Sequence, residues 1–263
     1  MTASGYGDLY AKLPAGVDWL LADRLGIEAV HQISWDLVQK DLPSWVESPE
    51  KLKAGGSSAF SDLFKGLTMT GIAMQVYQDS RPASGAEHLV SHVWEMEHLS
   101  RPDGVPWSHG FKVAVGTVAS ASLMEAFFEQ GPSLTVEACL KRRESWEERL
   151  AAINRFFPDP KIRKPIEEAC KTKWLDDKAL AARLERLIPL IPELKAFFAQ
   201  RVGGKDKVIA DFKKAGCPVS AADFGLEKKA LKEAALKAQM IRKRYTILDG
   251  VYETGLLPEL LDS

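Results

Sequence analysis

An all-helical fold is what this sequence predicts, and three observations carry the prediction. Apolar residues recur at helical spacing in most segments, as in Leu140, Trp146, Leu150, Ile153 and Phe157, or Leu180, Leu184, Leu187 and Ile188. Helix stops punctuate the pattern at Gly26, Pro49, Gly55-Gly56, Pro82, Gly104 to Pro106, Gly131-Pro132, Pro158 to Pro160, Gly203-Gly204 and Gly216 to Pro218. No stretch alternates apolar and polar residues as a strand would. Between the stops fit roughly eight to ten helices, which we read as one helical bundle over residues 1–263 without a parallel sheet.

The composition suits such a bundle. The chain has 263 residues, of which 46% are hydrophobic and 27% charged, enough for a sizeable buried core. Lys plus Arg (35) nearly cancels Asp plus Glu (36), so no global field draws the protein to nucleic acid or an anionic membrane, and a small molecule is the expected partner. Cys139, Cys170 and Cys217 lie far apart with no CxxC pair, which points away from disulfides and thiolate zinc sites and toward a reducing, cytoplasmic compartment. The longest uncharged apolar run, Val113 to Met124, has 12 residues. A membrane span needs about 20. The start, MTASGYGDLYAK, carries no basic-then-apolar signal pattern.

Taken in order, the elements offer little sign of a nucleotide site. Dinucleotide cofactors sit at a glycine-rich turn that follows a strand. The nearest candidate, Gly55-Gly56-Ser57-Ser58, follows nothing strand-like and reads as a surface linker. The charge runs Lys141 to Arg149 and Lys228 to Lys243 read as solvated helix faces.

The densest polar patch is Ser80 to His92, SRPASGAEHLVSH. Pro82 sets the start, and a helix after Gly85 places His88 and His92 on one face. His109 follows in the loop PWSHG, ahead of the apolar helix expected near Val113. His31 and His98 lie in ordinary amphipathic contexts and are expected only to pack or face solvent. Two imidazoles need an oxygen partner to hold a divalent ion while leaving a position open. The best carboxylate is Asp8 in SGYGD, where two glycines permit close backbone approach; from local sequence alone, a helix N-cap is its commoner role.

Four runs in this chain resemble the sn-glycerol-1-phosphate dehydrogenase family: SGYGDLYAKLPAGVDW, GIAMQVYQDSRPASGAEHLVSHVWEMEH, SHGFKVAVGT and RKRYTILDGVYETGLL. That family belongs with the dehydroquinate synthase-like and iron-containing alcohol dehydrogenases, which join an N-terminal dinucleotide-binding α/β domain to a C-terminal helical, metal-binding one. The resemblance implies that this chain is the metal- and substrate-binding half, with the nucleotide-binding half absent from it. It implies Asp8, His88 and His109 as metal ligands and places His92 beside substrate and nicotinamide, where it or an ordered water supplies the proton; a donor set of one aspartate and two histidines accepts zinc first, with iron or nickel as alternatives. The expected reaction interconverts dihydroxyacetone phosphate and glycerol 1-phosphate with NAD(P), part of phospholipid metabolism.

Arg81, with a planar cationic fork, and Lys112 are then candidates for the substrate phosphate. Expected partners are the phosphorylated polyol or ketone, a nucleotide-binding domain or subunit, and a second copy of the chain. The cleft bearing His88, His92 and His109 should open to solvent with apolar edges. Two alternatives remain: a cyclase domain like that of dehydroquinate synthase, which the SRPASG run and the tail disfavour, and a non-catalytic metal-binding module.

Overall fold

The computed structural model describes residues 1–262. The described residues form sixteen α-helices and three short 3-10 turns, with no strand. In chain order the helices are α1 (Thr2–Tyr10), α2 (Lys12–Arg24), α3 (Gln32–Gln39), α4 (Leu42–Trp45), α5 (Pro49–Lys53), α6 (Ser57–Tyr77), α7 (Ala86–Met96), α8 (His109–Gln130), α9 (Val136–Arg142), α10 (Trp146–Phe156), α11 (Pro160–Lys173), α12 (Asp177–Arg201), α13 (Lys205–Ala215), α14 (Lys228–Met240), α15 (Ile247–Glu253) and α16 (Leu257–Leu260).

The all-helical expectation holds, but the helices are more numerous and shorter than the stop signals implied. Several, such as α4, α5 and α16, are single turns started by Pro at their first or second position. Proline also fails as a stop twice in α12, which runs through Pro189 and Pro192.

The centre of the bundle is α8, which packs against α1, α2, α7, α12, α13, α15 and α16. With the turn after it, this segment is long and apolar enough to cross a membrane by composition alone. Here it is a core helix with 72% of that window buried. The 12-residue run read from the sequence is only its least polar part. One large apolar cluster reaches from Tyr6 to Leu260, and a small satellite gathers Ile153, Phe157, Ile166, Cys170 and Met240.

Glycines set how closely α8 meets its neighbours. A Cβ on Gly110 would lie 1.9 Å from the Ser4 carbonyl oxygen, and one on Gly7 would lie 2.6 Å from the Gly110 carbonyl oxygen. A Cβ on Gly116 would lie 2.4 Å from the Glu87 carbonyl oxygen. Helices α1 and α7 therefore press backbone to backbone on α8, which only glycine permits. These contacts adjoin Asp8, His109 and His88 in the chain.

One buried carboxylate ties the same region to the C-terminal helices. Asp18 is fully buried in α2; it accepts the Ala86 N–H at 2.7 Å and the Ile247 N–H at 2.6 Å. It thus caps α7 and α15 together, satisfying N–H groups that a helix leaves unpaired at its start. Burial, and then the neighbouring Glu87 carboxylate, push Asp18 up to about 7 despite those hydrogen bonds.

Candidate metal centre

Asp8 projects from the interior of α1, so the N-cap role open to it from local sequence is not the one it takes. The Gly7–Gly110 crossing brings α1 against the start of α8, where His109 is the first helical residue rather than a loop residue. Helix α7 presents His88 one turn before His92, and the Gly116 crossing seats the Glu87 backbone on α8. Three helices thereby bring Asp8, His88 and His109 together, with one candidate ligand atom from each lying within 4.8 Å of the others. The His88 and His109 rings are 5.4 Å apart between centroids.

Both histidines are oriented from behind by carboxylates. His88 Nδ1 lies 2.8 Å from Glu87 Oε1, and Glu87 is wholly buried and also accepts the Gly85 N–H at 2.7 Å. His109 Nδ1 lies 2.7 Å from Glu95 Oε1. Each carboxylate accepts an Nδ1–H and so leaves a lone pair on Nε2, the tautomer that ligating histidines need. Nε2 of His88 faces Asp8 Oδ1 at 3.1 Å, and Nε2 of His109 faces the same oxygen at 4.0 Å.

Three acceptors aimed at one another repel unless a cation sits among them. Part of that charge comes from Lys12, which is buried at 1% exposure and donates to Asp8 Oδ1 at 2.6 Å, with Nζ 3.5 Å from His88 Nε2. Burial alone would raise the Asp8 pKa, but the Lys12 ammonium beside it holds it far below the usual carboxylate range. Ligands about 2.0–2.2 Å from a common divalent ion stand no more than about 4.4 Å apart, close to the spacings seen here. The donor set of one carboxylate and two imidazoles therefore fits such an ion.

Glu95 organises the outer side of the cluster. It accepts from His109 Nδ1 and, through its other oxygen, lies 3.0 Å from His92 Nδ1 and 3.4 Å, by Oε1, from Lys112 Nζ. Burial pushes its carboxyl up, but the hydrogen bonds from His109 and His92 win and hold it at about 2. His92 is pushed down, first by burial and against the pull of Glu95, so at neutral pH it favours the uncharged ring. Its ring lies 6.4 Å from that of His88 and 6.3 Å from that of His109.

The other expected positions divide. Lys112 is brought to the rim of the cluster. Arg81 is not: its side chain is fully enclosed, 3.1 Å from Glu28, and donates to the Asp18 carbonyl at 2.9 Å. That burial follows from its place in a tight 3-10 turn packed on α2 and α6. His31 is an N-cap for α3 rather than a mere packing residue. Glu87, Glu95 and Lys12 were missed as functional positions. The adjacency of Glu87 to His88, the four-residue step from Asp8 to Lys12 and the three-residue step from His92 to Glu95 were the signals for them.

His109 is 44% exposed and His92 35%, so the cluster opens to solvent on one side. Met96 and Val105 are exposed apolar residues on the nearby end of α7 and the segment after it. A larger apolar stripe, Phe60, Phe64, Ile72 and Val76, runs along α6.

Several known proteins resemble this chain in sequence. The sequence is 31% identical over 194 residues to glycerol-1-phosphate dehydrogenase (NAD(P)+) of Halalkalibacterium halodurans, covering 70% of this chain and 47% of that protein. It is 24% identical over 261 residues to the enzyme of that name from Bacillus licheniformis, covering 99% of this chain and 51% of that one. The chain is a relative of the glycerol-1-phosphate dehydrogenases. The Archaeoglobus fulgidus member is 31% identical over 139 residues, covering 53% of this chain and 38% of its own length. The chain thus spans about half the length of the glycerol-1-phosphate dehydrogenases it matches. No family model matches it.

Proposed function

We propose that this chain is the metal- and substrate-binding part of an NAD(P)-dependent sn-glycerol-1-phosphate dehydrogenase. The observation that carries the reading is the convergence of Asp8, His88 and His109, with both imidazoles turned by Glu87 and Glu95 so that Nε2 faces Asp8. Three protein ligands, one of them 44% exposed, leave a coordination position open, as a catalytic rather than a structural site requires. Asp8, His88 and His109 would hold a divalent ion, zinc first, which would supply Lewis-acid polarisation of a ketone oxygen.

The chain's own side chains do the rest. His92 lines the cavity beside the cluster, and its Nδ1 is tied to Glu95, which leaves Nε2 to take a proton from a substrate hydroxyl or return one. Lys112 lends positive charge to the rim through Glu95. Lys12 holds Asp8 ionised, and Glu87 fixes the His88 tautomer. Among the described residues there is no strand followed by a glycine-rich turn, and we assign the dinucleotide to another domain or subunit.

The test is a titration of the purified chain with zinc, followed by dihydroxyacetone phosphate with and without the metal. The reading expects dihydroxyacetone phosphate to bind more tightly with zinc present. Equal binding in its presence and absence, or no zinc uptake, would overturn it.

A further inference from the structure

The cavity next to His92, about 710 Å³, has one wall of unusual charge. Its lining includes His92, Ser80, Ser84, Arg242, Lys243 and Arg244. The three cations occupy the non-helical break between α14 and α15, where the chain turns across the SRPAS loop. Arg244 is committed to that loop: it donates to the Ser84 carbonyl at 3.1 Å and to the Ser80 hydroxyl at 2.9 Å, and pairs with Asp79. The second acid on the lining, Glu28, is taken up by Arg81 at 3.1 Å and by the Tyr77 hydroxyl at 3.0 Å.

Arg242 and Lys243 are left. Neither makes an ion pair or side-chain hydrogen bond among the described residues, and both line the cavity. Ser84 is 4% exposed, lines the same cavity, and has a hydroxyl without a protein partner. Two unpaired cations, a spare hydroxyl and a neighbouring imidazole are complementary to a compact dianion with several acceptor oxygens.

We propose that this cavity is a phosphomonoester site, with Arg242, Lys243 and the Ser84 hydroxyl as its ligands and Arg244 as the clamp that positions the serine loop. The phosphate role that Arg81 seemed suited to from sequence passes to these residues, because Arg81 is enclosed behind the loop. The assignment rests on reading the site as one for a phosphorylated polyol, which it extends by placing the phosphate on the His92 side.

Binding of inorganic phosphate and of dihydroxyacetone phosphate to the zinc-loaded chain, measured by calorimetry, tests it, with unphosphorylated dihydroxyacetone as comparator. The R242A/K243A double variant, altered only at exposed side chains, should weaken phosphate binding by about tenfold or more. Its zinc affinity and its response to dihydroxyacetone should not change. A double variant that binds phosphate like the parent, or a parent that binds none, would overturn the proposal. So would an equal loss in K51A/K53A, whose exposed lysines lie on α5, since the effect would then be general charge. Phosphate binding that survives while zinc uptake fails would sink the metal reading and leave this site standing.

Discussion

Two clusters of buried charge in this molecule are made of similar materials and end in opposite states. Around Arg149, each charge meets its complement inside the protein. The guanidinium is 5% exposed, lies over the Tyr252 ring at 4.5 Å, approaches Glu144 at 3.4 Å and donates to Gln239, while Lys173 pairs with Asp249 at 2.6 Å. Around Asp8, the carboxylates behind the histidines use up the Nδ1 protons and leave acceptors facing one another. A network closed on itself holds helices together; a network left with converging lone pairs asks for a cation from outside. The contrast separates stability from binding, and substitutions can pull the two apart.

The largest effect is expected where the binding cluster depends on packing. A G110A substitution puts a Cβ 1.9 Å from the Ser4 carbonyl, so α1 must lift from α8 and carry Asp8 away from His109. Thermal melting should show a loss of about 3 kcal/mol or more, and zinc binding should fall with it. A stable, zinc-binding G110A protein would show that the crossing does not position the site. Next, R149A should cost about 2–4 kcal/mol through lost packing over Tyr252 and the lost partner of Gln239, yet leave zinc affinity untouched once folded. Loss of zinc affinity in folded R149A would dissolve the contrast between the clusters.

How much of this was readable beforehand differs between the same two regions. The histidines of α7 and the aspartate of the GYGD run stood out because their residue types are scarce and their spacing is helical. The glycines beside Asp8 and His109 were visible too, but their use as a helix crossing depends on which helices meet, a fact of tertiary structure. Arg149 fell in a charge run expected to be solvated. It is buried because α10 and α11 fold back on Tyr252 and Gln239, residues 103 and 90 positions away in the numbering. Arg81 was misjudged for the same reason: a local pattern marks a cation without saying which side of a turn it faces.

Smaller effects sharpen the comparison. E87Q keeps the shape of the side chain but weakens its hold on the His88 Nδ1–H, so zinc affinity should drop by about 10–100-fold with a modest change in melting temperature. An unchanged affinity would mean that Glu87 is only a packing residue. At the low end, S145A removes one half of the capping box that starts α10, far from the zinc ligands in function. It should cost about 1 kcal/mol in denaturant unfolding and nothing in zinc affinity.

The central claim is that Asp8, His88 and His109 hold one divalent ion between them, and zinc calorimetry on the parent chain beside D8N, H88A and H109A tests it most directly. The account predicts one zinc per parent chain and at least about a hundredfold weaker binding in each single variant, with all four proteins folded by circular dichroism. Undiminished one-to-one zinc binding in any folded variant of the three would contradict it.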